Sequence, residues 1–115
     1  YLPPAGAQAH ICAGMRVRVP FAGRTLVGMV VDRVAQTDVP AKRIKAAEQV
    51  LDTEPLLSAD QLALLQWAAD YYHHPLGEVV ATALPKMLRD GAPAEVRGVR
   101  RWGLTTAGRL AELDE

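Results

Sequence analysis

Arg16 and Arg18 alternate with Met15, Val17 and Val19 in the stretch MRVRVP. On an extended strand this spacing puts both guanidinium groups on one face about 7 Å apart, close to one phosphate spacing of an extended nucleic-acid strand. Phe21-Ala22-Gly23-Arg24 follows as a turn, with Gly23 free to take positive φ. Its backbone N–H groups and small side chains leave room for a nucleotide to approach. A second basic cluster holds Lys42, Arg43 and Lys45, of which Arg43 and Lys45 share a face if their segment is a strand. The chemistry these residue types offer is anion binding, with contacts that position a phosphate backbone without reading bases. Taken singly, each cation is equally well explained as solvated surface charge.

A second concentration of chemically able side chains runs from Trp67 to His74. Trp67, Tyr71 and Tyr72 are the right residues to stack on bases, but their helix carries no cation, so packing between elements is the favoured reading. His73 and His74 are adjacent, and on a helix they would point about 100° apart, which does not suit two ligands of one ion. Packing or capping at the helix end is expected of them, and no metal site. Cys12 or Asp70 would complete such a site only by accident of folding, and His10 is given no role. The lone Cys12 excludes a disulfide framework and a cysteine-based zinc site. No G-x-x-x-x-G-K-[ST] loop and no Ser/His/Asp constellation is present, so no catalytic residues and no ATPase activity are expected of this chain.

The 115 residues suffice for one modest core and the start of a second unit. Half are hydrophobic and 5% aromatic, an ordinary globular balance. No apolar run approaches the roughly 18 residues of a membrane span, and no signal peptide is visible, which fits a cytoplasmic protein. Net charge is zero, yet its distribution is uneven. Residues 1–50 carry seven Lys/Arg against three acids, whereas residues 51–85 carry five acids and no Lys or Arg. A basic first half joined to an acidic second half suggests one cationic face for phosphate.

These side chains need elements to hold them. Met15 to Pro20 reads as a half-buried strand and Leu26 to Val34 as a second, with Gly28 marking a bulge or a close backbone approach. Together they form a hairpin of the kind found in small barrels. Ala35 to Ala41 is a polar connection. Ile44 to Leu51 fits helix or strand by pattern, and its Ala46-Ala47-Glu48-Gln49 leans helical. Ser58 with Gln61 forms a capping box ahead of a helix whose apolar face holds Leu62, Leu65, Ala69 and Tyr72, widened by Leu64, Trp67 and Ala68. Pro75 ends that helix and suits the first turn of the next, Leu76 to Leu84, which Pro85 stops. Gly91 to Gly98 reads as a linker. Arg100 to Leu104 has strand character, and Thr105 or Thr106 caps a last short helix to Leu113.

The segments RVRVPF, VGMVV, KAAEQVLDTEPLL and WAADYYHHPLGEVVATALP stand in that order. Together they resemble the N-terminal region of the PriA family of bacterial replication-restart helicases, also called primosomal protein N′. The resemblance runs from Tyr1 to about Gly91, and it implies a strand over Ile44 to Leu51. The WGLTTAGRLAEL stretch looks like the opening of the winged-helix domain that follows in that family. The implied organisation is α+β: a small β-barrel-like sheet packed with a pair of short helices over residues 1–90, a linker over 91–99, and the start of a winged-helix domain over 100–115. A first barrel strand is expected upstream of Tyr1.

In that family this region binds the 3′-terminal nucleotide of the leading strand at a stalled fork, in a pocket that needs a free 3′ end. The resemblance implies a Phe-Asp pair just before Tyr1, a turn residue at Ala22 or Gly23, and a lysine at Lys45. The candidate DNA-binding set is thus Lys45, Gly23, Ala22, Arg16, Arg18, Arg24 and Arg43. Other implied partners are primosome proteins and single-stranded-DNA-binding protein, in a cytoplasmic, nucleoid-associated setting. ATP, magnesium and zinc are implied only for helicase and cysteine-rich modules beyond this stretch, and no cofactor is expected within it. The competing expectation is a protein–protein adaptor of the restart machinery whose acidic helical half docks a basic partner.

Overall fold

The computed structural model describes residues 1–7, 10–95, 98 and 101–111. Strand β1, Arg16–Phe21, lies at the centre of an antiparallel three-stranded sheet, between β2, Arg24–Met29, and β3, Gln49–Val50. The alternation places Val17 and Val19 inward with Ala47, and Val30 and Val50 pack against them as the core. The β1–β2 register runs without interruption from Arg16 opposite Met29 to Phe21 opposite Arg24. Gly28 therefore marks no bulge. It faces Val17, and a Cβ there would meet valine methyls at ordinary contact distances of 3.8 and 3.9 Å.

Ala22 and Gly23 form the two-residue loop of the hairpin, with φ of 48° and 75°. Positive φ at both central residues is the signature of a type I′ turn, whose twist matches that of the flanking strands. β2 is shorter than its apolar run. The Val30 N–H still donates to Met15 O at 2.8 Å, but the chain beyond is exposed and has no regular structure as far as a 3-10 turn at Ala41–Arg43.

The expected strand over 44–51 is reduced to β3 and a parallel bridge between Leu2 and Ala46. The sheet is open, not closed into a barrel, among the described residues. A β3 of two residues offers too short an edge to carry the ladder further, and Leu2 pairs ahead of it, at Ala46, in an isolated bridge.

Helix α1, Ala59–Tyr72, begins as the sequence predicts. Ser58 Oγ accepts from Gln61 N–H at 3.2 Å and Gln61 Oε1 accepts from Ser58 N–H at 2.9 Å. It ends at His73, which takes the left-handed conformation (φ 55°, ψ 38°) while the His74 N–H donates to Ala69 O at 3.0 Å. Pro75 then caps α2, Leu76–Ala83, and Pro85 caps a further short helix, α3, Lys86–Arg89. The sequence reads Pro85 only as a stop. Its fixed φ and free carbonyl equally suit a helix start, and that carbonyl accepts from Leu88 N–H at 3.0 Å.

α2 packs against α1 and β2, and joins the helical half to the sheet. Helix α4, Thr106–Ala111, opens on Thr105, whose Oγ1 accepts from Gly108 N–H at 3.1 Å. Arg101–Leu104 are not strand; Val99, Arg100 and the expected helix end at 112–113 lie outside the described residues.

Candidate nucleic-acid interface

Three of the candidate residues, Ala22, Arg43 and Lys45, line one open cleft of about 600 Å³ together with Tyr1 and Phe21. Each wall follows from a local structure. The type I′ turn presents Ala22 at the end of the hairpin. The 3-10 turn ends at Arg43, so Arg43 and Lys45 do not share a strand face, and they reach the cleft from a turn and from the bridge segment. The N-terminal residues lock this corner: Leu2 N–H donates to Lys45 O at 2.9 Å, and Leu2 O accepts from Ala47 N–H at 2.8 Å. The Tyr1 hydroxyl donates to Pro20 O at 2.9 Å, which fixes its ring against the end of β1.

Arg43 and Lys45 are exposed and, among the described residues, neither is paired with a carboxylate. Among the described residues, no acidic one lines the cleft. Two unneutralised cations beside an apolar wall make a surface that accepts a phosphate and a flat apolar ring together. Gly23 and Arg24 belong to the same hairpin end without lining the cleft, and Arg24 stands exposed.

Arg16 and Arg18 do something else. Arg16 is buried. Its guanidinium bonds the Asp52 carboxylate through Nη2 at 2.6 Å, and its Nη1 donates to Leu88 O and Ala92 O, each at 2.8 Å. An arginine this deeply buried, with each guanidinium nitrogen bonded inside the fold, does not present itself to DNA, so Arg16 leaves the phosphate-binding set. The alternation correctly puts Arg16 opposite the valine face. What it cannot show is that the chain around Leu88–Ala92 covers that second face.

Arg18 lies against the same segment: a Cβ on Gly91 would come within 2.8 Å of its Nη2. It is half-buried there and does not line the cleft. Burial pushes the Asp52 carboxyl up, but the hydrogen bonds from the Arg16 side chain and N–H and the attraction of its charge outweigh that, and hold it below 3.8.

Tyr1 and Phe21 were not legible as site residues. Phe21 shares the parity of Met15, Val17 and Val19, so it extends the apolar face of β1 beyond the core edge, and that parity was the available signal.

The aromatic residues of α1 also depart from expectation. Leu62, Leu65, Ala68 and Ala69 turn inward, whereas Leu64, Trp67, Tyr71 and Tyr72 are more than half exposed. Trp67 and Tyr71 stack at 5.0 Å and Tyr72 meets Tyr71 edge-on at 4.9 Å. Trp67 and Tyr71 pack on each other, while Tyr72 also borders the groove between α1 and α2. Among the described residues no three His, Cys, Asp or Glu side chains gather as a metal site. No helix is long and apolar enough to cross a membrane among the residues described.

Comparison with known proteins places this geometry. A family model described as the PriA 3′ DNA-binding domain (3′BD) matches residues 1–85. The chain is 42% identical over 85% of its length to the replication restart protein PriA of Haemophilus influenzae. It is 32% identical over 88% of its length to that of Treponema pallidum, and 28% identical over 88% to that of Buchnera aphidicola subsp. Acyrthosiphon pisum. It spans 13%, 16% and 14% of those relatives' lengths, respectively. The cleft between the hairpin end and Lys45 thus lies within the matched region, and the chain belongs to the 3′ DNA-binding domain family of the bacterial replication restart protein PriA.

Proposed function

We propose that this chain recognises the 3′ end of a nascent leading strand at stalled or branched replication forks, as the DNA-end-reading module of a restart helicase. The observation that carries the reading is the convergence of Ala22, Arg43 and Lys45 on one cleft. Lys45 contacts the terminal phosphate, Arg43 adds a second cation, and the turn at Ala22 and Gly23 brings backbone close to the sugar. Such contacts tolerate any sequence. Binding, not turnover, is the whole activity of the module, and an ATP-dependent 3′–5′ motor with its magnesium and zinc belongs to other parts of the intact protein. Primosome proteins and single-stranded-DNA-binding protein are its proposed partners, and its proposed location is the cytoplasm, with the nucleoid. Residues 100–115 are proposed as the opening of a winged-helix unit after a linker at 91–99.

The test is fluorescence anisotropy with forked DNA whose leading-strand 3′ end is a free hydroxyl or a 3′-phosphate. Preference for the hydroxyl that disappears in Lys45→Ala is the expected result. Equal binding of both ends by a chain extended upstream of Tyr1 removes the reading. A second reading, a protein–protein adaptor, is favoured by the outward aromatic face of α1 in a segment with five acids and no Lys or Arg. It predicts no binding to either DNA.

A further inference from the structure

Arg16 divides its hydrogen bonds between two parts of the molecule. Nε and Nη2 serve the Asp52 carboxylate, at 3.0 and 2.6 Å. Nη1 serves Leu88 O and Ala92 O, at 2.8 Å each. Those two carbonyls belong to one turn at the end of α3. Within it the Gly91 N–H donates to Leu88 O at 3.2 Å and the Ala92 N–H to Met87 O at 3.0 Å, with Gly91 at φ 91°. A Cβ on Gly91 would stand 2.8 Å from Arg18 Nη2 and 3.4 Å from Val27 Cγ2. Glycine therefore gives the turn both its left-handed backbone and its close seat on β1 and β2.

Little apolar burial backs these bonds. α3 has no buried residue, and Met87 beside the turn is exposed. Leu88, Gly91 and Ala92 are half-buried, and it is α2 that packs the helical half on the sheet. Segments held mainly by a few hydrogen bonds open at lower free energy than the core they rest on. When this turn lifts away, water replaces its carbonyls at Nη1, and the bonds from Nε and Nη2 to Asp52 stay made.

We propose that residues 88–92 form a latch that opens and closes on β1 as one unit while the sheet stays folded, with Gly91 as the residue that lets it seat. Closed, the latch fixes where the chain leaves the sheet. Open, it releases a stretch of up to about 17 Å when extended, which lengthens the reach of whatever follows. The latch is independent of what the cleft binds, and loss of one leaves the other standing.

Native-state hydrogen exchange by NMR tests it, in the unmodified chain and in Gly91→Ala, at urea concentrations below the unfolding transition. The Asp90, Gly91 and Ala92 amides report the latch, Val17 and Val19 report the sheet, and the Arg16 Nε–H reports the pair with Asp52. In the unmodified chain the three latch amides should share one protection factor, at least about tenfold below that of the sheet and nearly independent of urea. The Arg16 Nε–H should follow the sheet. Gly91→Ala should lower protection at Asp90 and Ala92 by a further factor of roughly ten, the scale of left-handed strain at a non-glycine residue, and leave Val17, Val19 and Arg16 Nε–H unchanged. Latch amides that exchange with the sheet's protection and urea dependence overturn the proposal. So does an Arg16 Nε–H that exchanges with the latch, or a Gly91→Ala effect spread equally over the sheet. Should Gly91→Ala not fold by circular dichroism, the pattern in the unmodified chain decides alone.

Discussion

Arg16 and Asp52 form an ion pair at 2.6 Å with side chains only 1% and 6% exposed, joining the first residue of β1 to the connection that leads into α1. Asp52 also accepts from the Arg16 main-chain N–H at 2.8 Å, so one carboxylate fixes both the backbone and the guanidinium. Every buried side-chain nitrogen and oxygen among the described residues has a partner. A pair this dry adds little net stability relative to an apolar pair, but it penalises the loss of either member.

Asp52→Asn should therefore destabilise the fold by about 3–5 kcal/mol, because a charged guanidinium then stays buried without its anion. Urea denaturation reads this as a lower midpoint at an unchanged m-value. A loss below about 1 kcal/mol would mean that the carbonyls of Leu88 and Ala92 hold Arg16 unaided.

The same pair sets an acid limit. The folded Asp52 pKa is lower than 3.8, so its stabilising contribution is fully present above that value and is lost as pH falls through the folded pKa. Urea midpoints measured from about pH 6 down to about pH 2 should drop on the acid side, and Asp52→Asn should flatten that part of the profile.

Gly14 has φ of 93°, and a Cβ there would stand 2.0 Å from the main-chain oxygen of Leu57. Its own N–H donates to Val30 O and its carbonyl accepts from Leu56, so the backbone has nowhere to move. Gly14→Ala should cost about 3 kcal/mol or more, by thermal or urea melting. Gly23→Ala, with no atom within 4 Å of the added carbon, should cost only the positive-φ strain of about 1 kcal/mol.

Lys45→Ala and Arg43→Ala should each weaken single-stranded DNA binding and each reduce the slope of log K against log salt by about 0.7, the increment for one phosphate on a single strand. With two or three phosphates engaged the starting slope is roughly −1.4 to −2. Arg18→Gln should leave the slope unchanged, since Arg18 rests on Gly91 away from the cleft.

A chain ended at residue 85, where the family match stops, should melt at lower temperature than one ended at 95. The shorter chain lacks Leu88 O and Ala92 O, the two carbonyls that receive Arg16 Nη1. Equal melting temperatures would show that these bonds contribute nothing to the folded unit.

The sequence was most legible where local chemistry decides structure. Ser58 and Gln61 announce the start of α1, Pro75 divides α1 from α2, and the Met15–Pro20 alternation gives the buried face of β1. It was least legible where a distant segment decides. Alternation could not show that Leu88–Ala92 closes over Arg16, nor that the Trp67–Tyr71 stack forms on the outside of α1, because helical periodicity gives faces without saying which is covered. The four-residue α3 is too short for any period to register. Of the site, the hairpin turn and the basic cluster with Lys45 were legible as residues and sharpened by the family resemblance, while their meeting with Phe21 and Tyr1 depends on the Leu2–Ala46 bridge, a contact across most of the basic half.

The two arginines of β1 also give the domain a line of force. Ala92 accepts from Arg16 and Gly91 lies against Arg18, so tension applied to the chain beyond Ala92 is taken up by β1 itself, at its Arg16 end. β1 runs from that anchor straight to Phe21 and the cleft, as the central strand of the sheet. Whatever is attached downstream therefore pulls on the strand that ends at the cleft, and the anchor and the cleft stand at opposite ends of a single tie rod.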